Sequence, residues 1–101
     1  NNEEALAYYG IGQEVFQKQF LDCEEAQKYS VDLALNIQNS IKRHRKVQFW
    51  QDLDAQNKVK NDIEDYLYDE VRIKNGINLA TEQMDEIIER SMKVAMHRTL
   101  E

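Results

Sequence analysis

The chain has 101 residues, of which 42% are hydrophobic, and a formal net charge of −6. This length suits one domain, and the negative charge disfavours wholesale binding to nucleic acid or to an anionic membrane. A single cysteine, Cys23, excludes an internal disulfide and disfavours a cysteine-based zinc site. Because a single cysteine is typical of a reducing compartment, we expect a cytoplasmic protein. No apolar run is long enough to span a membrane, and no signal peptide is visible.

The two ends of the chain indicate a fragment of a longer protein. The chain starts at Asn1 instead of methionine, and Leu100-Glu101 is typical of the residues that precede a purification tag. We therefore expect residues 1–99 to form a single helical domain and residues 100–101 to be a remnant of expression.

The first twenty residues predict two short helices. Residues 3–9 predict a helix that stops at Gly10 or Gly12, because glycine readily ends a helix. The second short helix is predicted from three apolar residues near helical spacing, Val15, Phe16 and Phe20.

A longer helix is predicted to start after Asp22, which can cap it together with Glu25 in an acidic capping box. Val31 and Leu35 lie nearly opposite its main apolar stripe. A helix with two apolar faces either lies in the centre of its bundle or contacts something outside the chain, and we expect the central position. The main stripe consists of Ala26, Leu33, Ile37 and Ile41.

This helix ends in the basic run 42–46, which Phe49 and Trp50 follow closely. One interpretation is that the positive charge stabilises the helix C-terminus while the two aromatics anchor the core. The other is a contact with DNA, since basic side chains beside aromatics grip phosphates and stack on bases. The candidate DNA contacts are Lys42, Arg43, Arg45 and Lys46.

Residues 47–50 predict a short extended connector, after which Asp52 or Asp54 caps the next helix and Asn75-Gly76 ends it. The predicted inward stripe of that helix is Leu53, Gln56, Val59, Ile63, Tyr66 or Leu67, and Val71.

Thr81 is predicted to cap the last helix, with Glu86 and Arg90 paired on its solvent face. Its predicted inner stripe is Met84, Ile87, Ile88, Ser91, Met92 and Ala95. Together the patterns predict an all-α fold, a small bundle of about four to five helices with one short extended connector.

No constellation in the sequence predicts catalysis. The carboxylates between Asp62 and Glu70 are typical of a solvated helix face, because no glycine-rich calcium loop accompanies them. His44 and His97 lack a second ligand at metal spacing, and no nucleophile motif or phosphate-binding loop is present.

A polar seam interrupts the third long helix at Gln56-Asn57 and at Asn61, one turn later. Asparagine is a mediocre helix former, because its side chain competes for backbone hydrogen bonds. The seam is either a solvent face or a tie to the preceding connector, or it forms hydrogen bonds across an interface. Composition does not choose between these interpretations.

The stretch from Val47-Gln48-Phe49-Trp50 through Asp54-Ala55-Gln56-Asn57 to Tyr66-Leu67-Tyr68-Asp69 resembles the C-terminal region of R (motor) subunits of type I restriction enzymes. There, a valine-acid-tryptophan element precedes an asparagine-containing helix that ends in an acidic-aromatic run. Gln48 stands where the family often has an acid. Residues 84–95 resemble the family's closing helix, so the resemblance covers about half of the chain, and residues 2–9 agree more loosely.

The resemblance implies a parent protein with a nuclease domain, two RecA-like motor domains and this helical end. In such enzymes the helical end is thought to dock onto the methyltransferase core of modification and specificity subunits. We therefore expect a domain without catalytic residues, cofactor or small-molecule substrate, since ATP and Mg²⁺ would belong to the parent's other domains. The expected partners are that core and the parent's own motor domains, with no membrane. The candidate interface residues are Phe49, Trp50, Gln56, Asn57, Lys60, Asn61 and Asp65.

Overall fold

Four α-helices make up most of the chain in the computed structural model, which describes residues 2–19 and 22–99. They are α1 (Asn2–Phe16), α2 (Cys23–His44), α3 (Leu53–Tyr66) and α4 (Thr81–Thr99). A 3-10 turn, Phe49–Gln51, precedes α3, and a π-helical segment, Leu67–Lys74, continues it. No strand occurs in the described residues, which confirms the predicted all-α bundle. The predictions for Phe20 and for residues 100–101 lie outside the described residues.

The two short helices predicted before residue 20 are one helix, and the prediction that glycine would stop the first of them is wrong. α1 runs through both Gly10 and Gly12. A Cβ atom at Gly12 would lie 3.2 Å from Leu33 Cδ2 and 3.3 Å from Ser30 Cα, both in α2. A Cβ at Gly10 would meet nothing within 4 Å. Gly12 therefore allows close packing of α1 on α2, and this tertiary contact overrides glycine's weak helix propensity.

The predicted start of α2 is confirmed, since Asp22 Oδ1 accepts a hydrogen bond from the Glu25 backbone N–H at 2.8 Å. α2 packs against α1 and against α3. Its second apolar face stays open, with Val31 46% and Leu35 52% exposed, so the expected burial of that face is wrong. The main stripe is buried as predicted, at Ala26, Leu33, Ile37 and Ile41.

α4 packs against α1 and α3. It begins at Thr81, which is its first helical residue, so the prediction that Thr81 caps it is wrong. The cap position is Ala80, whose carbonyl accepts a hydrogen bond from the Met84 N–H at 3.1 Å. The Ala80 N–H donates to the Gln83 side-chain oxygen at 2.9 Å, the pattern of one half of a capping box. Arg90 pairs with Glu86 at 3.1 Å, as predicted, and also with Glu14 of α1. The predicted inner stripe is buried at Met84, Ile87, Ser91, Met92 and Ala95, and half-buried at Ile88.

The end of the third helical stretch is confirmed, but its winding was not predicted. From Leu67 the backbone changes to π-helical hydrogen bonding, and the Asn75 N–H donates to the Glu70 carbonyl five residues earlier at 2.9 Å. Gly76 follows with φ +69°, the left-handed conformation that glycine adopts readily. Within this segment the Arg72 guanidinium lies beside the Tyr68 ring.

Candidate interaction surface

The connector between α2 and α3 is a tight turn, so the predicted extended segment is wrong. Gln48 has φ 63°, a left-handed conformation that is uncommon for a residue with a side chain. The 3-10 turn follows at once, and Asp52 Oδ1 accepts a hydrogen bond from the Ala55 N–H at 3.0 Å. Asp52 is therefore the cap of α3, one of the two aspartates predicted for that role.

Two of the candidate interface residues belong to the interior of the domain. Phe49 is fully buried, and Gln56 is 5% exposed. The Gln56 side-chain amide donates to the Phe49 carbonyl at 2.9 Å, which ties the connector to α3. Because both side chains are enclosed, neither can contribute to an accessible surface of this domain. The interpretation of the polar seam as a tie to the connector is thus right for Gln56.

The other half of the seam is exposed. Asn57, Asn61 and Asp65 follow one another at four-residue steps on the side of α3 that faces solvent. Two exposed apolar side chains lie at the ends of this stripe, Leu53 at 71% and Tyr68 at 49%. We call these five residues the outer face of α3. The assignment of Leu53 to the inward stripe is therefore wrong, and neither it nor Tyr68 was among the candidate interface residues.

Trp50 and Lys60 are the remaining candidate interface residues, and both are exposed beside this face. Trp50 is 38% exposed on the 3-10 turn, and Lys60 is exposed on α3. Val47, at the start of the turn, is 92% exposed. The turn therefore carries apolar surface next to the Leu53 end of the outer face.

The structure pairs the half-buried Arg45 of the basic run with a buried carboxylate. Its guanidinium donates to both carboxylate oxygens of Glu4, at 2.9 and 3.0 Å, and to the Ala95 carbonyl at 3.4 Å. The Tyr8 hydroxyl donates to the same carboxylate at 2.9 Å. Glu4 is only 3% exposed, so the network joins α1, the end of α2 and α4 inside the fold. Arg45 is thus a structural residue, which contradicts its assignment as a DNA contact.

Arg43 and His44 both contact Asp62 of α3. The Arg43 guanidinium lies 2.9 Å and His44 Nε2 3.0 Å from the same carboxylate oxygen, to which the Ser40 hydroxyl also donates at 2.6 Å. Partial burial by itself raises the pKa of Asp62, but the hydrogen bonds from Ser40, Arg43 and His44 outweigh it and hold the pKa below its ordinary value. Asp62 therefore clamps α3 to α2 and does not belong to the solvated acidic face.

The Ser40, His44 and Asp62 cluster does not form a nucleophile relay. In such a relay the imidazole lies between the hydroxyl and the carboxylate, so that it can accept the hydroxyl proton. Here the hydroxyl and the imidazole both meet one carboxylate oxygen. The arrangement can hold two helices together, but it does not activate Ser40.

Of the four candidate DNA contacts, Lys42, Arg43 and Lys46 lie on the surface, but among the described residues only the two lysines form no ion pair. The charges of Arg43 and Arg45 are directed to carboxylates of the same chain. Two lysines make a weak electrostatic footprint, since affinity for the DNA backbone grows with the number of phosphates neutralised. The basic side chains that are neighbours in the sequence thus do not form one continuous basic surface in the structure.

No protein-family model, curated protein or solved structure matches this chain. The similarity of residues 47–95 to type I restriction R subunits therefore stays a prediction. Over residues 2–19 and 22–99, no helix has both the length and the apolar character to cross a membrane. Within the same residues, no three His, Cys, Asp or Glu side chains are grouped so that they could hold a metal ion.

Proposed function

We propose that this chain is the assembly domain of a bacterial type I restriction enzyme R subunit. In this role it docks the ATP-dependent translocase and endonuclease subunit onto the methyltransferase core of modification and specificity subunits, in the cytoplasm. The domain performs no catalytic step and needs no cofactor of its own, and ATP and Mg²⁺ act in the motor and nuclease domains of the parent chain. The resemblance over residues 47–95 supports the choice of partner.

The observation that carries the docking role is the outer face of α3. Leu53 and Tyr68 expose apolar surface at its two ends, and Asn57 and Asn61 present side-chain amides between them. Interface energy concentrates on a few aromatic and apolar anchors, while amide groups set orientation through hydrogen bonds. Hydrogen bonds of Gln56 and Asp62 fix α3 to the connector and to α2, which reduces the ordering that binding at this face would require.

A titration of the fluorescently labelled chain with the methyltransferase core tests the proposal. We expect saturable binding that Asn61→Arg weakens by about tenfold or more, because a long charged side chain would block the centre of the outer face. Asn39→Arg, at an exposed asparagine of α2, is the matched control and should leave the affinity unchanged. Equal affinities for the two variants would remove the outer face from the interface, and absence of core binding would refute the proposed function.

A parallel titration with nonspecific duplex DNA at two salt concentrations tests the alternative role as a DNA tether. Because Arg43 and Arg45 are paired with carboxylates of the same chain, we expect weak binding even at low salt. Strong, steeply salt-dependent DNA binding that Lys42→Ala and Lys46→Ala weaken, together with no core binding, would favour the tether. If the chain binds neither partner, it only braces the motor domains of its own parent.

A further inference from the structure

A shallow hollow lies between the end of α3, the start of the π-helical segment and the first turns of α4. We call it the Tyr68 hollow. Among the residues that line it are Glu64, Asp65, Tyr68, Arg72, Met84 and Asp85. Asp65 and Tyr68 also belong to the outer face of α3, so the hollow is the recessed end of that face.

The carboxylates that line the hollow have no cationic partner within the described part of the chain. Among the described residues, no lysine or arginine forms an ion pair with Glu64, Asp65 or Asp85. By contrast, the carboxylates at the junctions between helices are paired, as Glu4 is with Arg45. Three carboxylates against the one guanidinium of Arg72 leave the hollow with an excess of negative charge that attracts a cation from outside.

The aromatic wall of the hollow already accepts a cation. The Arg72 guanidinium carbon lies 5.4 Å from the centroid of the Tyr68 ring, within the range of a cation–π contact. The ring remains 49% exposed, and the nearly buried side chain of Met84 adds apolar surface to the lining. An aromatic face and a methionine beside several carboxylates fit the apolar stem and the charged head of a lysine or arginine.

The backbone that carries Tyr68 and Arg72 has an uncommon helical form. Tyr68 and Arg72 both lie in the π-helical segment, and π turns inside α-helices are rare and occur frequently at functional sites. Ile73, in the same segment, is 64% exposed and lines a second hollow on the other side of Tyr68 and Arg72. Exposed apolar surface therefore continues past the acidic hollow, as expected where a protein partner covers both.

We propose that the Tyr68 hollow receives a lysine or arginine side chain of a partner protein, so that the partner's surface opposite the end of α3 is basic. The excess of carboxylates disfavours a nucleic acid at this place, because phosphates would be repelled. The identity of that partner rests on the proposed function, whereas the chemistry of the hollow does not.

An NMR titration with N-acetylarginine methylamide tests the hollow without the methyltransferase core. We expect chemical-shift changes concentrated at the backbone amides of residues 64–72 and 84–85. They should be lost in the triple variant Glu64→Gln/Asp65→Asn/Asp85→Asn. Weak shifts spread evenly over exposed carboxylates elsewhere, such as Glu24 and Glu89, would show only a general charge effect and would overturn the proposal.

The same triple variant is then compared in the titration with the methyltransferase core. The control, Glu24→Gln/Glu25→Gln/Glu89→Gln, removes the same number of charges from exposed positions outside the hollow. We expect the hollow variant to bind about tenfold more weakly and with a smaller salt dependence, and the control to change affinity little. Equal losses in both variants would overturn the proposal and leave the proposed function intact. Localised arginine shifts without core binding would support the hollow and refute the proposed partner.

Discussion

The buried Glu4–Arg45 junction and the Tyr68 hollow are built from the same residue types with opposite consequences. Each combines a tyrosine, an arginine and carboxylates. In the junction, the guanidinium of Arg45 and the hydroxyl of Tyr8 both donate to one buried carboxylate, so the negative charge is compensated within the fold. In the hollow, three carboxylates face one guanidinium at the surface. A buried carboxylate that is paired with a cation of the same chain therefore stabilises the fold. Exposed carboxylates that outnumber the nearby cations remain available to a partner.

The basic run 42–46 shows the same difference between paired and solvent-exposed charges. Arg45 is half-buried and paired with Glu4, Arg43 is paired with Asp62 of α3, and Lys42 and Lys46 lie in solvent. The sequence presents these side chains as one cluster. The helix ends at His44, and Arg45 is its C-cap. The basic side chains on either side of this end therefore point in different directions.

The contrast between interior and surface is largest for the neighbouring aromatics Phe49 and Trp50. Phe49→Ala should lower the free energy of unfolding by about 4 kcal/mol, because a fully buried ring leaves a cavity. Trp50→Ala should cost less than half as much, since Trp50 is 38% exposed. Urea denaturation followed by far-UV circular dichroism measures both. Similar losses would mean that Trp50 is as much a core residue as Phe49.

The junction itself can be tested with two arginines of the same run. Arg45→Met removes a cation that forms two hydrogen bonds with the buried carboxylate of Glu4, and it should cost about 3 kcal/mol. Arg43→Met removes an exposed partner of Asp62, with the Arg43 side chain 59% exposed, and should cost less than about 1 kcal/mol. The measurement is again the free energy of unfolding in urea. A loss at Arg45 no larger than that at Arg43 would contradict the structural role of the buried pair.

Gly12 and Gly10 offer a smaller test of the same contrast, with opposite signs. Gly12→Ala should destabilise the chain by about 1 kcal/mol, because its methyl group would press on Leu33 and Ser30. Gly10→Ala meets open space and should stabilise α1 by about 0.5 to 1 kcal/mol. Thermal denaturation distinguishes the two, and a gain at Gly12 would show that α1 and α2 are not in close contact there.

The smallest expected effect depends on pH and concerns Asp62. Its pKa in the folded chain lies below the ordinary value, so the carboxylate stabilises the fold at neutral pH, and this contribution is lost as the pH falls through the lowered pKa. Asp62→Asn should therefore destabilise the chain at pH 7, by less than about 1 kcal/mol, and have little effect near pH 3. Urea denaturation at the two pH values measures this, with the exposed Asp69→Asn as control. An effect that grows towards acid pH would contradict the clamp.

Much of the helical framework could be predicted because its signals are local. Asp22 and Asp52 cap their helices through side chains that reach backbone N–H groups three residues on, and this depends on the immediate sequence alone. The buried stripes of α2 and α4 follow helical periodicity. The outcome at Gly12 could not be predicted, because the close approach of α2 is a tertiary contact.

The exposure of Leu53 could have been found in the sequence. Two successive three-residue steps, from 53 to 56 and from 56 to 59, rotate a helix by about 120° away from the inward stripe. Glu4 also carried a signal, since it begins an apolar stripe with Tyr8, Ile11 and Val15, and a carboxylate on such a stripe needs a buried partner. The sequence did not show that this partner is Arg45, forty-one residues away.

The sequence by itself determined an all-α chain, the caps of α2 and α3, most of the core stripes and a set of polar and aromatic side chains around α3. Only the tertiary structure decided which of these side chains are accessible. It buried Phe49 and Gln56, paired Arg45 with the buried Glu4, and exposed Leu53 and Tyr68. Helical periodicity and capping depend on neighbours within about one turn of the chain, whereas burial and charge pairing depend on which helices meet. In a bundle this small, one turn such as that at Gln48 changes which residues meet.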